Sequence, residues 1–207
     1  MRFPKLLLAS GNRDKYLELN AKLAEVPSVK LLTTSDFGIS LDVAEDGTTL
    51  EENSALKARA FFRLLGIPAL ADDTGLFVDA LGGAPGVYSA RYSGEGANYE
   101  SNRKKLLKEL TGVKERGAEF RTVICIAAGT GEQLCFEGIC RGRISDAERG
   151  SGGFGYDALF VPDGYDQTFA EMPPEQKNSI SHRGKALDRL IVFLRNGSKY
   201  PVEDSNL

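Results

Sequence analysis

Short apolar runs alternate with stretches of helical spacing through the first third of the chain, and few architectures accept that alternation. Leu6 to Ala9 reads as a buried strand that runs directly into Ser10-Gly11-Asn12-Arg13-Asp14-Lys15. Tyr16, Leu19 and Leu23 then recur on one helical face. Val29 to Thr33 is a second expected strand. Thr48 or Thr49 caps a helix expected from about Leu50 to Leu65, with Glu51 and Glu52 in the first turn, where the helix dipole favours acids. Leu50, Ala58, Phe61 and Leu65 form its apolar stripe, and Gly66 and Pro68 end it. Ala69-Leu70-Ala71 is expected to be a short strand stopping at Asp72-Asp73-Thr74-Gly75, with another apolar piece from Leu76 to Leu81. Asn98 to Leu110 reads as a helix with Leu106, Leu107 and Leu110 inward. Phe120 to Ala128 and Leu134 to Ile144 read as paired strands joined around Gly129-Thr130-Gly131. A last helix is expected from about Arg183 to Leu194, with Ser181 as candidate cap, before a loosely held polar tail from Asn196 to Leu207. Helices and strands that alternate, then strands that cluster, then a closing helix predict an α/β, or mixed α+β, single domain.

Composition narrows the function classes. A chain of 207 residues with 42% hydrophobic content supports a sizeable core. No apolar run reaches the roughly 18 residues of a membrane span, so no membrane partner is expected. The net charge of −3 argues against a broad nucleic-acid surface. A small anionic ligand would need local positive charge or a metal ion. Cys125, Cys135 and Cys140 are odd in number and include no Cys-x-x-Cys pair, which argues against a disulfide framework or a zinc site and fits a reducing cytoplasm.

Five segments carry candidate chemistry. Ser10 to Lys15 ends a strand and opens a helix, so backbone N–H groups and the Lys15 ammonium can meet an anion; it is not a Walker A loop. Asp72-Asp73-Thr74-Gly75 places two carboxylates beside a buried strand, where one is expected to face a site and the other to support it. Such oxygens suit Mg²⁺, which takes one or two protein carboxylates plus substrate phosphate. Glu45-Asp46-Gly47, upstream of a helix bearing Asn53 and Lys57, reads locally as a solvated acidic loop, and Lys57 as a solvated helix residue. Four of the six residues from Gly150 to Gly155 are glycine, and the run holds Phe154 and leads to Tyr156 and Asp157. Glycines at this density cost stability unless the chain turns sharply or approaches a ligand. An aromatic here either packs into the core or stacks on a flat polar ring such as a purine. Last, Lys177 precedes Ser181-His182-Arg183, where the only histidine and a forked guanidinium offer donors to a keto group. A single histidine cannot build a multi-histidine metal site. Ser-His-Asp catalysis is a poor fit without Gly-x-Ser-x-Gly.

Taken in order, Ser10-Gly11-Asn12 with Lys15, Glu45-x-Gly47-x-Thr49 with Glu52-Asn53, Ala71 to Leu76, Leu81 to Arg91, Gly152 to Asp157 and Ser179 to Gly184 resemble the inosine triphosphate pyrophosphatase family in its bacterial, dITP/XTP diphosphatase form. The match spans roughly positions 6–195. The resemblance implies an elongated mixed sheet with flanking helices, two lobes with a cleft between them, a homodimer in the cytoplasm, and Mg²⁺-dependent hydrolysis of ITP, dITP and XTP to monophosphate and pyrophosphate. It implies Asp73 as general base and metal ligand, with Glu45 as second ligand. Ser10, Gly11, Asn12, Arg13, Asp14 and Lys15 would hold phosphates, with Thr74 nearby. Phe154, Gly155, Tyr156 and Asp157 would contact base and nucleoside, and Lys177 the nucleotide. His182 and Arg183 would read the purine edge. This chain has Asp-Asp-Thr-Gly where many bacterial relatives have Asp-Asp-Ser-Gly, which keeps the hydroxyl. Two alternatives stand beside this: a septum-inhibitor-type pyrophosphatase acting on modified pyrimidine nucleotides, and a non-catalytic nucleotide sensor.

Overall fold

A computed structural model describes residues 3–129 and 132–196. Thr130, Gly131 and the tail from 197 to 207 lie outside the described residues. The elements are β1 (Lys5–Leu8), α1 (Arg13–Leu23), β2 (Lys30–Thr33), α2 (Leu50–Leu65), β3 (Ala69–Val78), β4 (Pro85–Gly86), α3 (Tyr99–Glu109), β5 (Gly117–Ala128), β6 (Glu132–Ile144), β7 (Phe160–Pro162), α4 (Pro174–Ile180) and α5 (His182–Asn196). One mixed seven-stranded sheet runs β2-β1-β3-β5-β6-β7, with β4 on β3. β1 is parallel to β2 and β3, and the remaining pairs are antiparallel.

The expected caps are in place. Thr49 accepts from Glu52 N at 3.1 Å while Glu52 reaches back to Thr49 N at 3.2 Å, a capping box, and Gly66 ends α2 in the left-handed conformation. Short β3, expected to stop at Asp72, instead continues for ten residues through both aspartates to Val78. The cause is β5, which pairs with it residue for residue from Ala69↔Ala127 to Val78↔Ala118. The other edge of β3 differs. β1 pairs only with Ala69 and Leu70, and β4 only with Leu76 and Phe77. Residues 71–75 lie in the gap between them, beyond the carboxyl end of β1. A strand can thus carry two carboxylates mid-length and still present them at a sheet's switch point, where α/β folds bind ligands.

The cysteine expectation is corrected: Cys125 and Cys135 form a disulfide. The register of β5 and β6 sets them directly opposite one another, with Cα atoms 4.1 Å apart, a relation that counting and spacing did not reveal. Cys140 is free, and burial pushes its thiol up to about 11.

Among the described residues the two largest of four apolar clusters define the two lobes. One gathers Leu6, Leu8, Leu19, Leu23, Leu70, Ile124, Leu187 and Leu190 from β1, α1, α5 and the sheet. The other gathers Leu76, Leu106, Leu110, Phe120, Phe160 and Phe169 around α3 and β7. α5 lies hard against β6 because Gly138 has no side chain; a Cβ there would come within 2.0 Å of the His182 carbonyl oxygen.

Candidate active site

Between the lobes a cavity of about 190 Å³ is lined by Asn12, Lys15, Glu45, Lys57, Asp73, Thr74, Tyr99, Phe154, Tyr156, Asp157, Lys177, His182 and Arg183, among others. A second, of about 260 Å³, shares Lys15, Glu45 and Lys57 with it and extends past Ser10, Gly11, Thr34, Ser40 and Asp72. Most of the sequence-derived candidates therefore meet along one path. Arg13 and Asp14 do not: both are exposed on α1 and line neither cavity.

Asn12 caps α1, and its Oδ1 accepts from Asp14 N at 2.9 Å and Lys15 N at 3.2 Å. Two helix N–H groups expected to face an anion are thus satisfied by the cap, and Lys15 is the cationic feature of this loop. The neighbouring aspartates split as strand alternation requires. Asp72 is buried between Lys15 Nζ at 2.9 Å and Arg183 Nη2 at 3.3 Å. Burial alone would raise its carboxyl, but Lys15 and Arg183 hold it well below the usual carboxylate range. Asp73 faces the cavity, where burial raises its carboxyl despite the Lys57 ammonium and the nearby Asn53 amide, and its buried Oδ2 accepts no well-formed hydrogen bond.

Lys57 and Glu45, which local sequence presents as solvated, are drawn into the site. Lys57 Nζ lies 3.3 Å from Glu45 Oε1 and 3.3 Å from Asp73 Oδ1. Burial disfavours its charge, but Asp73, Asp72 and Glu45 together raise its pKa. α2 is fixed in this position by Ser54, whose Oγ donates to Ala71 O at 2.9 Å and accepts from Cys125 N at 3.0 Å, bridging the β3–β5 ladder. One position before it, Asn53 Oδ1 accepts from Gly47 N at 2.8 Å and pins the loop that carries Glu45.

At the far end the glycine-rich segment wraps around Asp157. Asp157 Oδ2 accepts from Phe154 N at 2.8 Å and Lys177 Nζ at 2.9 Å. Gly153, at φ 68°, is required: a Cβ would sit 2.1 Å from that same oxygen. Phe154 is only half-buried, with Lys177 Nζ and the Arg183 guanidinium 5.1 and 5.2 Å from its ring centre. Tyr156 is buried and donates its hydroxyl to Ser89 O at 2.9 Å, so it braces the wall. His182 stacks on Phe120 with centroids 4.4 Å apart and planes at 12°. Burial, with Arg183 and Lys177 near, holds His182 well below 6.5, and its Nδ1 has no partner.

Arg183 has little left to offer. Nε and Nη2 donate to Asp72, Nη1 to Glu18 at 3.0 Å and Nη2 also to Thr74 Oγ1 at 3.1 Å, four of the five N–H groups of a guanidinium. Glu18, which sequence reasoning missed, also lies 3.5 Å from Lys177 Nζ. Its spacing of three from Lys15 on the same helix was the available signal. Tyr99, Ser89 and Asn102 also line the cavity without having been anticipated.

Among the described residues no group of three or more His, Cys, Asp or Glu comes together that could hold a metal ion alone. Two carboxylates do converge on one point, Lys57 Nζ, and one of their oxygens accepts no well-formed hydrogen bond. That donor set fits Mg²⁺ shared with a phosphorylated ligand.

The chain is 50% identical over 184 residues to a dITP/XTP pyrophosphatase of Desulfotalea psychrophila, covering 89% of this chain and 82% of that one. It is 46% identical over 190 residues to a dITP/XTP pyrophosphatase of Flavobacterium johnsoniae, covering 92% and 97%. The solved Ham1 protein of Staphylococcus aureus superposes with a TM-score of 0.85 at 39% identity, over 94% of this chain and 100% of that one. A model of the Ham1 family matches residues 6–193. With nine-tenths of its length matched, and the cleft residues inside the matched span, this chain belongs to the Ham1 family.

Proposed function

We propose that this protein is a nucleoside-triphosphate pyrophosphatase that hydrolyses deaminated purine nucleotides, ITP, dITP and XTP, to the monophosphate and pyrophosphate, and so cleanses the nucleotide pool. The observation that carries the reading is one cavity lined both by an aromatic platform at Phe154 and by a cluster of two lysines and two carboxylates at Lys15, Lys57, Glu45 and Asp73, with a second cavity adjoining it at Lys15, Glu45 and Lys57. A purine on Phe154 directs its phosphates toward Lys15 and Ser10. The relatives' names favour purine over pyrimidine nucleotides and catalysis over sensing.

Asp73 acts as general base: it takes a proton from water as the water oxygen bonds the α-phosphorus and the α–β anhydride bond breaks, releasing pyrophosphate. Glu45 and Asp73 would hold Mg²⁺, which when bound neutralises phosphate charge and polarises the phosphoryl group. Lys57 holds both carboxylates close to one another. Lys15 and the Ser10–Gly11 turn bind phosphate oxygens, and Thr74 stands beside them. His182, neutral and with an unpartnered nitrogen, reads the 6-keto oxygen; Arg183, largely committed to Asp72, Glu18 and Thr74, holds the wall and offers its remaining N–H. Lys177 and Asp157 shape the nucleoside end. Asn12 orients the loop, while Arg13 and Asp14 contribute charge outside the cavity. Residues 1–207 form one such domain, acting as a cytoplasmic homodimer, a reading that rests on the resemblance and is checked by light scattering.

Product analysis with Mg²⁺ tests the proposal. IMP and pyrophosphate from ITP are expected, with XTP and dITP cleaved likewise. IDP and inorganic phosphate would place cleavage at the terminal phosphate, and binding without turnover would favour the sensor.

A further inference from the structure

We propose that Tyr99 is a substrate-contacting residue that clamps the sugar of the nucleotide from across the cleft, an assignment that rests on the nucleotide reading above. Tyr99 opens α3, on the lobe opposite α1, and 45% of it is exposed. Its hydroxyl accepts from Asn12 Nδ2 at 3.4 Å, and its ring centre lies 6.1 Å from that of Phe154. Asn12 belongs to the phosphate end and Phe154 to the base end. In a nucleotide only the sugar separates base from phosphates, so a side chain that touches both anchors lies beside the sugar. A phenol suits that neighbour, with a ring to cover C–H groups and a hydroxyl that donates and accepts. The long, exposed bond to Asn12 is one that a sugar hydroxyl can replace at little cost.

The position of Tyr99 is built into the fold. Asn98 caps α3 by accepting from Ser101 N at 2.9 Å. Asn102 donates to Ala90 O at 3.0 Å and accepts from Ser93 N at 2.7 Å. Arg103 donates to Gly155 O at 3.0 Å, tying α3 to the loop that carries Phe154. The tyrosine and the base platform therefore keep a fixed relation.

The test is steady-state kinetics of wild type, Tyr99→Ala and Tyr99→Phe on ITP, dITP and ATP, with thermal unfolding alongside. Tyr99→Ala is expected to raise KM for ITP and dITP about tenfold with kcat retained, the pattern of lost uniform binding. Tyr99→Phe, which keeps the ring, is expected to raise KM about threefold. The ITP-to-ATP ratio of kcat/KM stays at the wild-type value, because the base edge is read elsewhere. Wild-type KM in Tyr99→Ala, from an enzyme that cleaves ITP, overturns the clamp and leaves the nucleotide reading intact. A changed ITP-to-ATP ratio also overturns it, by moving Tyr99 to the base. A wild type that cleaves no purine triphosphate overturns both. If Tyr99→Ala lowers Tm, Tyr99→Phe decides: an unchanged KM there, with normal Tm, removes the hydroxyl contact.

Discussion

The two ends of the cleft solve opposite problems. At the phosphate end, Lys15, Lys57, Asp72, Asp73 and Glu45 form a network in which each charge lies beside an opposite one. At the base end the wall is aromatic, the histidine is neutral, and Arg183 spends most of its donors inward. In the proposed function, charge at one end supplies affinity for any triphosphate and positions the reacting group. On the proposed reading, the neutral His182 at the other end supplies discrimination, because it loses a bond only with the wrong base. If the two ends have these roles, turnover and selectivity are separable in this molecule.

Substitutions at the two ends should therefore fail differently. Asp73→Asn is expected to cut kcat at least about 10²-fold while ITP binding, followed by calorimetry, stays near wild type; turnover near wild type would remove Asp73 as the base. Asp72→Ala, though outside the chemistry, leaves Lys15 and Arg183 buried without their shared partner, and urea unfolding should show a loss of about 3–5 kcal/mol. A stability change within error would mean that the bracket between the ends carries no weight. His182→Ala should narrow the ITP-to-ATP ratio of kcat/KM by about 10-fold or more with little change in ITP kcat. An equal loss on both nucleotides would show that the two ends are not separable after all.

The smallest effect concerns pH. Burial keeps His182 neutral in the fold, below its ordinary 6.5, so the unfolded chain takes up a proton first as pH falls and stability drops below about 6.5. Asp73 and Asp157, whose carboxyls burial raises, act in the opposite sense at lower pH. Comparison with His182→Gln isolates the histidine: between pH 7.5 and 5.5 the wild type should lose about 1 kcal/mol more than the variant. Parallel pH curves would contradict a buried neutral imidazole.

Sequence pattern revealed what depends on neighbours in the chain. Helical spacing gave α1 and α2, Thr49 with Glu52 and Gly66 gave the ends of α2, and the glycine cluster marked a segment that does wrap a buried carboxylate. What stayed hidden depends on pairing at a distance. β3 passes through two aspartates because β5 supplies its ladder and Lys15, Arg183 and Lys57 supply its counter-charges, none of which is local. Lys57 looks like any helix lysine until Ser54 docks α2 on the sheet. Cys125 and Cys135 become partners only through the register of β5 and β6. α4, which carries Lys177, is a single short segment of seven residues with little periodicity to read.

The most direct test of the division between the two ends is the ratio of kcat/KM for ITP to that for ATP in the wild-type enzyme with Mg²⁺. A ratio on the order of 10⁴ is expected, because ATP presents an amino group where the proposed His182 contact needs an acceptor. A ratio near one, with both nucleotides cleaved to pyrophosphate, would mean that the cleft binds triphosphates without reading the base.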